Sequence, residues 1–552
     1  MNNTNTDALA GTNVNLTPLK TSEFAQFDDE FDLIVVGYGG AGATAALQGL
    51  ENGASVALID RFSGGGATAI CGSVIYAGGG TDLQKHLGIQ DSAKNMFNYL
   101  RNETLGIVSD ETLQRFCEDS AANMRWLQKH GLRFSGDVFT EKTTYPVDGY
   151  SLYFSGNELD PSYRQDSEPV ARGHIPDGIG KYAAFGPAFF NPIARSLEAM
   201  GPRVFNQCRV DRLIVDELDR VVGVEATDLS QSHLAALMHR IWSKAATAVH
   251  MYYPPLADFF RRKLAAIERK HNKHRIRLRA KQGVILSTGG FVFNQQMVKH
   301  HMPEFIDGLR LGTTGDDGSG IALGSSVGGR LANMHKGSGW RFINPPADWP
   351  KAILVNRKGE RYVSETLYGA AIGTRMFEDH QGEAILIMDS THYARCLKQV
   401  NLKTARPITI LQFKDATRKA IRANTLDELA EALGIDATGL RRTVDLYNAN
   451  ADAGEMDAFG KSPDKMAPIL TAPFYAIDLS PTGGGITPVI TLGGLAVDEA
   501  TGQVLNQDDK PIDGLYAAGR TAVGVASNNY VTGLSVADCV FSGRRAANHA
   551  TN

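Results

Sequence analysis

Phe31-Asp-Leu-Ile-Val-Val36 is a short apolar run, and three glycines follow it in GxGxxG spacing, Gly37, Gly39 and Gly42. Good helix formers fill Ala43 to Leu50, and a second apolar run from Ser55 to Ile59 stops at Asp60. No other stretch restricts the fold as much. It predicts a buried parallel strand, a tight turn, a helix and a second strand that ends in an acid. The three glycines serve different ends. Gly37 permits the turn, Gly39 lets a pyrophosphate touch the backbone, and Gly42 lets helix and strand pack closely. The helix start at Gly40 and Ala41 offers N–H donors and the positive end of a dipole to phosphates. Asp60 is placed to accept from ribose hydroxyls, with Arg61 beside it. This unit alone leaves FAD and NAD both open.

Glycine is over-represented, at 58 of 552 residues, and it clusters where something must approach the backbone. Ser63-Gly-Gly-Gly-Ala-Thr68, with Gly65, Ala67 and Thr68, forms a second loop suited to a pyrophosphate and an isoalloxazine. Val284-Ile-Leu-Ser-Thr-Gly-Gly290 reads as a strand running into a turn at Thr288 and Gly289; Thr314-Gly-Asp-Asp-Gly-Ser-Gly320 contains Gly318, and Gly514-Leu-Tyr-Ala-Ala-Gly-Arg520 ends on Gly519 and Arg520.

A chain this long exceeds one compact core and predicts two domains. Hydrophobic residues at 43% and charged residues at 21% exclude global disorder, and a net charge of −4 does not point to nucleic acid. The five cysteines, Cys71, Cys117, Cys208, Cys396 and Cys539, are scattered without a CxxC. That pattern excludes a disulfide framework, argues against a zinc site and fits a reducing compartment. Residues 1–27 are rich in Asn and Thr, lack an apolar signal region and are expected to be flexible. No run of about 18 apolar residues exists to span a membrane. The expected location is the cytoplasm.

Taken together, the pieces from about Phe31 to Ala547 resemble the FAD-dependent fumarate reductase and 3-ketosteroid dehydrogenase superfamily. The resemblance implies an α/β fold: a split Rossmann-like FAD-binding domain with an inserted α+β catalytic cap. Its parts would be 28–336 and 477–552 for the FAD-binding domain and 337–476 for the cap. Three stretches are similar to the 3-ketosteroid Δ4-(5α)-dehydrogenases: Asn528-Asn-Tyr-Val-Thr-Gly-Leu-Ser535 and its continuation to Arg545, Tyr150 to Glu158 with Arg172-Gly-His174, and Gly359 to Gly369. The C-terminal stretch adds Gly533, Leu534 and Ser535 to the implied FAD contacts.

Forming a C4–C5 double bond in a 3-ketosteroid needs a hydride to leave C5 for the flavin and a proton to leave C4. Polarising the C3 oxygen acidifies C4, and a hydroxyl base near C4 takes the proton. The resemblance assigns Tyr530 and the Leu534 N–H to the C3 carbonyl, and Tyr368 to the proton as acceptor or relay. Thr532 stands where the subgroup usually carries serine, next to the proton path. Tyr150 and Tyr153 are expected as pocket walls, Arg375 as structural, and Arg544 and Arg545 as following a helix and serving its C-terminal end. Neither His174 nor His335 sits in a motif for covalent flavin attachment. Rival readings are a Δ1-dehydrogenase, an ene-reductase or fumarate-type reductase on the same fold, and a membrane-associated flavoprotein without turnover. The implied partners are a hydrophobic 3-ketosteroid and an external electron acceptor.

Residues 229–281 interrupt the family pattern. From Ser230 to Lys281 there are 12 Lys/Arg and 2 Asp/Glu. Leu234, Leu237, Met238, Ile241 and Trp242 recur at helical spacing, Tyr252-Tyr-Pro-Pro255 breaks the run, and a second helical run follows. This predicts a basic helical hairpin, read as a monotopic membrane contact through 230–280, with an oligomer contact and a solvated surface hairpin as the alternatives. It carries no base-reading motif and is not expected to bind nucleic acid.

Overall fold

The computed structural model describes residues 7–178, 185–343, 346–401, 405, 407–483 and 485–552. The strand Asp29–Val36 lies between Val56–Asp60 and Arg275–Leu286 and runs parallel to both. Leu33 and Val35 point into one apolar cluster, and Ile34 and Val36 into another on the opposite face. Burial on both faces is why the strand reads as a continuous apolar run rather than an alternating one. The helix Gly40–Glu51 follows the glycine turn.

The long strand Arg275–Leu286 changes partner part-way. Arg275–Arg279 pairs antiparallel with Val221–Asp228, and Val284–Leu286 pairs parallel with Leu515–Ala517. A segment from the end of the chain thereby completes the sheet begun by its start, as expected for a split domain. The C-terminal helix Leu534–Thr551 crosses Gly40–Glu51 closely: a Cβ on Gly543 would lie 2.6 Å from the Ala41 carbonyl oxygen.

The inserted cap carries an antiparallel sheet ordered Ile353–Val355, Ile385–Asp389, Phe474–Asp478 and Ile421–Ala423. Phe474–Asp478 runs across the boundary expected at 476. The strands Leu309–Arg310 and Gly337–Gly339 both pair with Pro488–Thr491, so the outgoing and returning crossovers lie together.

Two expectations change. Residues 7–27 are not a free arm. Leu9 and Leu19 are buried, Leu19–Lys20 pairs with Ile214–Val215, and His301 Nε2 donates to the Ala8 carbonyl at 2.7 Å. These scattered apolar residues dock an otherwise polar stretch; residues 1–6 lie outside the described residues. The hairpin forms as His233–His250 and Pro254–Lys270, with Trp242 stacked on Phe260 at 5.3 Å. Pro254 and Pro255, however, open the second helix, where a missing N–H costs nothing. The insertion also ends inside a sheet strand: Arg275 and Arg277 pair with Glu225, and Lys281 with Glu30.

Candidate active site

A cavity of about 800 Å³ runs from the glycine turn to the tyrosines predicted for catalysis. At one end, Gly37 has φ +102°, and a Cβ there would lie 2.5 Å from the Ser287 carbonyl oxygen. A Cβ on Gly42 would lie 1.8 Å from the Gly37 oxygen. Protein packing alone forbids side chains at both positions. Gly39 is different, because a Cβ there would meet nothing nearer than Thr68 Oγ1 at 3.9 Å. The space beside it is cavity, which fits a backbone left bare for a pyrophosphate. Thr68 Oγ1 also accepts from Gly40 N–H at 2.9 Å, joining the two glycine-rich loops.

Asp60 organises the turn before any ligand arrives. Its carboxylate accepts from the N–H groups of Tyr38, Phe62 and Gly64 at 3.0, 2.8 and 3.1 Å. Ala41, Ala67, Thr68, Thr288, Gly289, Gly519, Arg520 and Ser535 also line the cavity. Gly42, Gly65, Gly318, Gly533 and Leu534 are not among its lining residues. Gly318, at φ +80°, turns the chain into the helix Ser319–Ser326, and Gly65 donates to the Tyr38 carbonyl at 2.7 Å. Arg61 lines the wall, but its guanidinium is held by Glu268 at 2.7 and 2.8 Å and by Asp317 at 2.6 Å. Its charge is spent on the protein.

At the other end, Tyr368 precedes the helix Gly369–His380. Its N–H donates to Asn157 Oδ1 at 2.6 Å, and its ring meets Phe342 edge-on at 5.8 Å. Its hydroxyl hydrogen-bonds the Thr532 hydroxyl. The neighbouring Tyr362 instead gives its hydroxyl to the Glu383 carbonyl at 2.7 Å. Thr532 is pinned at both backbone groups: its N–H reaches the Ser155 carbonyl at 3.3 Å, and its carbonyl accepts from Ser155 Oγ at 3.1 Å. Gly533 caps the helix Leu534–Thr551, and no side chain bonds the helix end there. The Thr532 hydroxyl therefore faces Tyr368 instead of serving as a cap.

Tyr530 packs edge-on against Trp340 at 4.8 Å. Burial pushes its phenol up to about 12, against hydrogen bonds from the Ser535 hydroxyl and the Gly533 N–H. Burial and the nearby Tyr530 push Tyr368 higher, and the bond to Thr532 opposes them. Both phenols are protonated at neutral pH. Leu311, Trp340, Phe342, Pro488 and Ile490 make this end apolar.

Several expectations are corrected here. The Leu534 N–H donates to the Val531 carbonyl at 3.0 Å and is already committed. Tyr150 and Tyr153 are not among the lining residues, whereas Tyr145 is; Tyr153 is fully buried near Tyr368 and Tyr530. Arg544 and Arg545 lie inside their helix, which continues to Thr551. Arg544 bonds Gln48 at 2.8 Å, and Arg545 bonds the Glu499 carbonyl at 2.9 Å. Arg375 is an exposed partner of Asp379 at 3.1 Å, as expected of a structural residue. Sequence reasoning missed Trp340 and Phe342. Their alternation about Arg341, just past the Gly337–Gly339 strand, is the signal that marks them as facing one way.

The family model for an FAD binding domain matches residues 32–536. The chain belongs to this FAD-binding family. The flavoprotein is 36% identical over 514 residues to a 3-oxo-5-alpha-steroid 4-dehydrogenase of Comamonas testosteroni, covering 90% of this chain and 94% of that one. Its fold matches the 3-ketosteroid-delta4-(5alpha)-dehydrogenase of Rhodococcus jostii RHA1, solved with 4-androstene-3,17-dione. The TM-score is 0.80 at 30% identity, over 97% of this chain and 100% of that one. A 3-ketosteroid delta1-dehydrogenase of Sterolibacterium denitrificans shares the fold, with a TM-score of 0.64 at 21% identity over 95% and 99% of the two chains. The flavoprotein is an FAD-dependent oxidoreductase, and Gly39, Gly40, Thr68 and Asp60 line the cavity.

Proposed function

We propose that the flavoprotein is a 3-oxo-5α-steroid 4-dehydrogenase. The observation that carries this is the meeting of a Tyr368–Thr532 hydroxyl pair and a separate phenol, Tyr530, in one apolar chamber at the end of the FAD cavity. Tyr530 donates to the C3 carbonyl oxygen, and burial keeps its phenol protonated for that role. With that oxygen polarised, Thr532 Oγ takes the C4 proton as its own proton passes to Tyr368 Oη, and the Tyr368 phenol proton leaves in the same step to solvent water. A concerted exchange through neutral hydroxyls suits a phenol that burial keeps from ionising. FAD, when bound, supplies the acceptor for the hydride from C5. A separate electron acceptor then takes the electrons from the enzyme.

The hairpin gives this enzyme a membrane-facing surface. Leu234, Leu237, Ile241, Tyr252 and Tyr253 are exposed large apolar side chains, with Arg262, Lys263, Arg269 and Lys270 exposed on the second helix. That pairing suits an anionic bilayer surface from which a sterol-like substrate arrives.

The deciding experiment is anaerobic mixing of the holoenzyme with a saturated 5α-3-ketosteroid. Bleaching of the oxidised flavin band with a 4-ene product is expected. A 1-ene product would move the enzyme to the Δ1 reaction, and no bleaching would overturn the assignment.

A further inference from the structure

Among the described residues, four cationic side chains line the FAD cavity: Arg61, Arg209, Lys244 and Arg520. Three are neutralised by the protein. Arg61 is held by Glu268 and Asp317, Arg209 by Asp211 at 2.8 Å and Glu268 at 3.3 Å, and Arg520 by Asp316 at 2.7 Å. Among the described residues Lys244 has no carboxylate partner, and it belongs to the inserted hairpin. We propose that the hairpin is the lid over the adenosine–pyrophosphate part of FAD, with Lys244 as its phosphate-binding cation and Ser243 and Thr247 as its hydroxyl contacts.

The helix His233–His250 supplies part of the cavity wall. Ser243, Lys244, Thr247 and Ala248, spaced i, i+1, i+4 and i+5, line the cavity, and that spacing places them on one side. Leu237 and Ile241, seven and three residues before Lys244, lie on the same stripe of the helix and are exposed, as is Lys244 itself. The cavity residues opposite are Asp60, Phe62 and Cys208–Val210, at the end of the strand whose acid is placed for ribose. This is the adenylate end, remote from the Tyr368–Thr532 pair in the order of the lining elements.

The hairpin is latched to that same wall. Glu268, near the end of the second helix and buried, accepts from Arg61, Arg209 and His239, the last at 3.0 Å. The His239 ring stacks on Phe62 at 5.4 Å and 8°. His250 Nε2 donates to the Arg310 carbonyl at 2.7 Å. An insertion with only an outward-facing role has no need of an ion-pair latch onto both wall arginines. The latch also removes the charges of Arg61 and Arg209 from the ligand. Among the described residues, the pyrophosphate is then left with the dipole of the Gly40–Glu51 helix and one cavity-lining cation without a carboxylate partner, Lys244.

The proposal rests on the FAD cofactor and not on the steroid reaction, so its test reads cofactor affinity. Apo protein is titrated with FAD, following flavin fluorescence, for wild type, Lys244→Gln, Lys244→Arg, Thr247→Val and a control, Lys263→Gln, on the exposed side of the second helix. Lys244→Gln is expected to raise the FAD Kd by about tenfold or more, the scale of one charged hydrogen bond, and to lower its dependence on salt. Lys244→Arg restores much of the affinity, Thr247→Val weakens it less than Lys244→Gln, and Lys263→Gln leaves it unchanged. Coincident thermal unfolding of the apo forms shows that folding is equal. An unchanged Kd in Lys244→Gln, or equal weakening by Lys263→Gln, would overturn the lid.

Discussion

The hydroxyl of Tyr368, at the start of a cap helix, hydrogen-bonds the hydroxyl of Thr532, in the turn before the C-terminal helix of the FAD-binding domain. The two residues are 164 positions apart in the chain. Their contact couples the proton path to the seating of the cap. Thr532→Val keeps the shape and removes the hydroxyl. It should lower the rate of steroid-dependent flavin reduction by about 10²- to 10⁴-fold, the scale of a lost general base, with FAD retained. Thr532→Ser should keep most of the rate. Stopped-flow reduction of the two variants checks this, and an active Thr532→Val enzyme would remove Thr532 from the path.

Tyr530 is expected to act as a donor only. Tyr530→Phe should cost about 10²- to 10³-fold in flavin reduction, as for a lost oxyanion donor. Because its phenol is held up to about 12, it stays protonated below that pH. The single-turnover rate should therefore show no alkaline loss from this group between about pH 7 and pH 10, where it remains nearly fully protonated. A fall in that window that disappears in Tyr530→Phe would contradict the donor role.

Gly39 and Gly42 separate ligand space from protein space. Gly39→Val should leave an apo protein that unfolds near the wild-type temperature yet purifies without yellow colour, since only cavity lies beside it. Gly42→Val should disturb folding as well, because its Cβ would collide with the Gly37 carbonyl. Flavin content and thermal unfolding of the two variants, compared side by side, test the distinction.

The dinucleotide unit was legible because its signals are local: an apolar run, three glycines and an acid within one short stretch. The tyrosines proposed for catalysis were named through resemblance, and Tyr368 is told from Tyr362 by where each hydroxyl points. Less legible was whatever depends on pairing across the chain. Arg61 looks like a phosphate ligand until Glu268, more than 200 positions away, takes its guanidinium. Leu534 N–H looks free until the turn closes it onto Val531. The N-terminal stretch looks like a polar tail because Leu9 and Leu19 are too sparse to form a periodic pattern, although each is buried.

Behind Tyr368, Asn157 bridges to Glu103 at 2.8 Å, and Tyr99 donates to the same carboxyl oxygen at 2.7 Å. Burial raises Glu103 from 4.5 to about 7, against those two hydrogen bonds. A folded-state value above the unfolded one means that the folded protein holds this proton more tightly. The stability it contributes is present below the unfolded value and is lost as pH rises through the folded one. Relative to Glu103→Gln, the wild type should lose on the order of 3 kcal/mol between pH 4.5 and pH 7. Urea unfolding of both proteins across that range measures the difference, and parallel curves would mean that Glu103 is ionised throughout.

The hairpin's outer face makes the last prediction. Leu234, Leu237, Tyr252 and Tyr253 are 72%, 50%, 67% and 61% exposed, so replacing all four with serine removes little packing and should leave the thermal midpoint and flavin content near wild type. Apolar insertion and basic attraction act together at a bilayer, each nearby Lys or Arg adding about 1 kcal/mol on anionic lipid. Wild-type holoenzyme should co-sediment with vesicles containing anionic lipid, less with neutral vesicles, and less again at high salt as the charges are screened. The serine variant should stay in the supernatant. Equal sedimentation of the two proteins would mean that this face does not carry the contact.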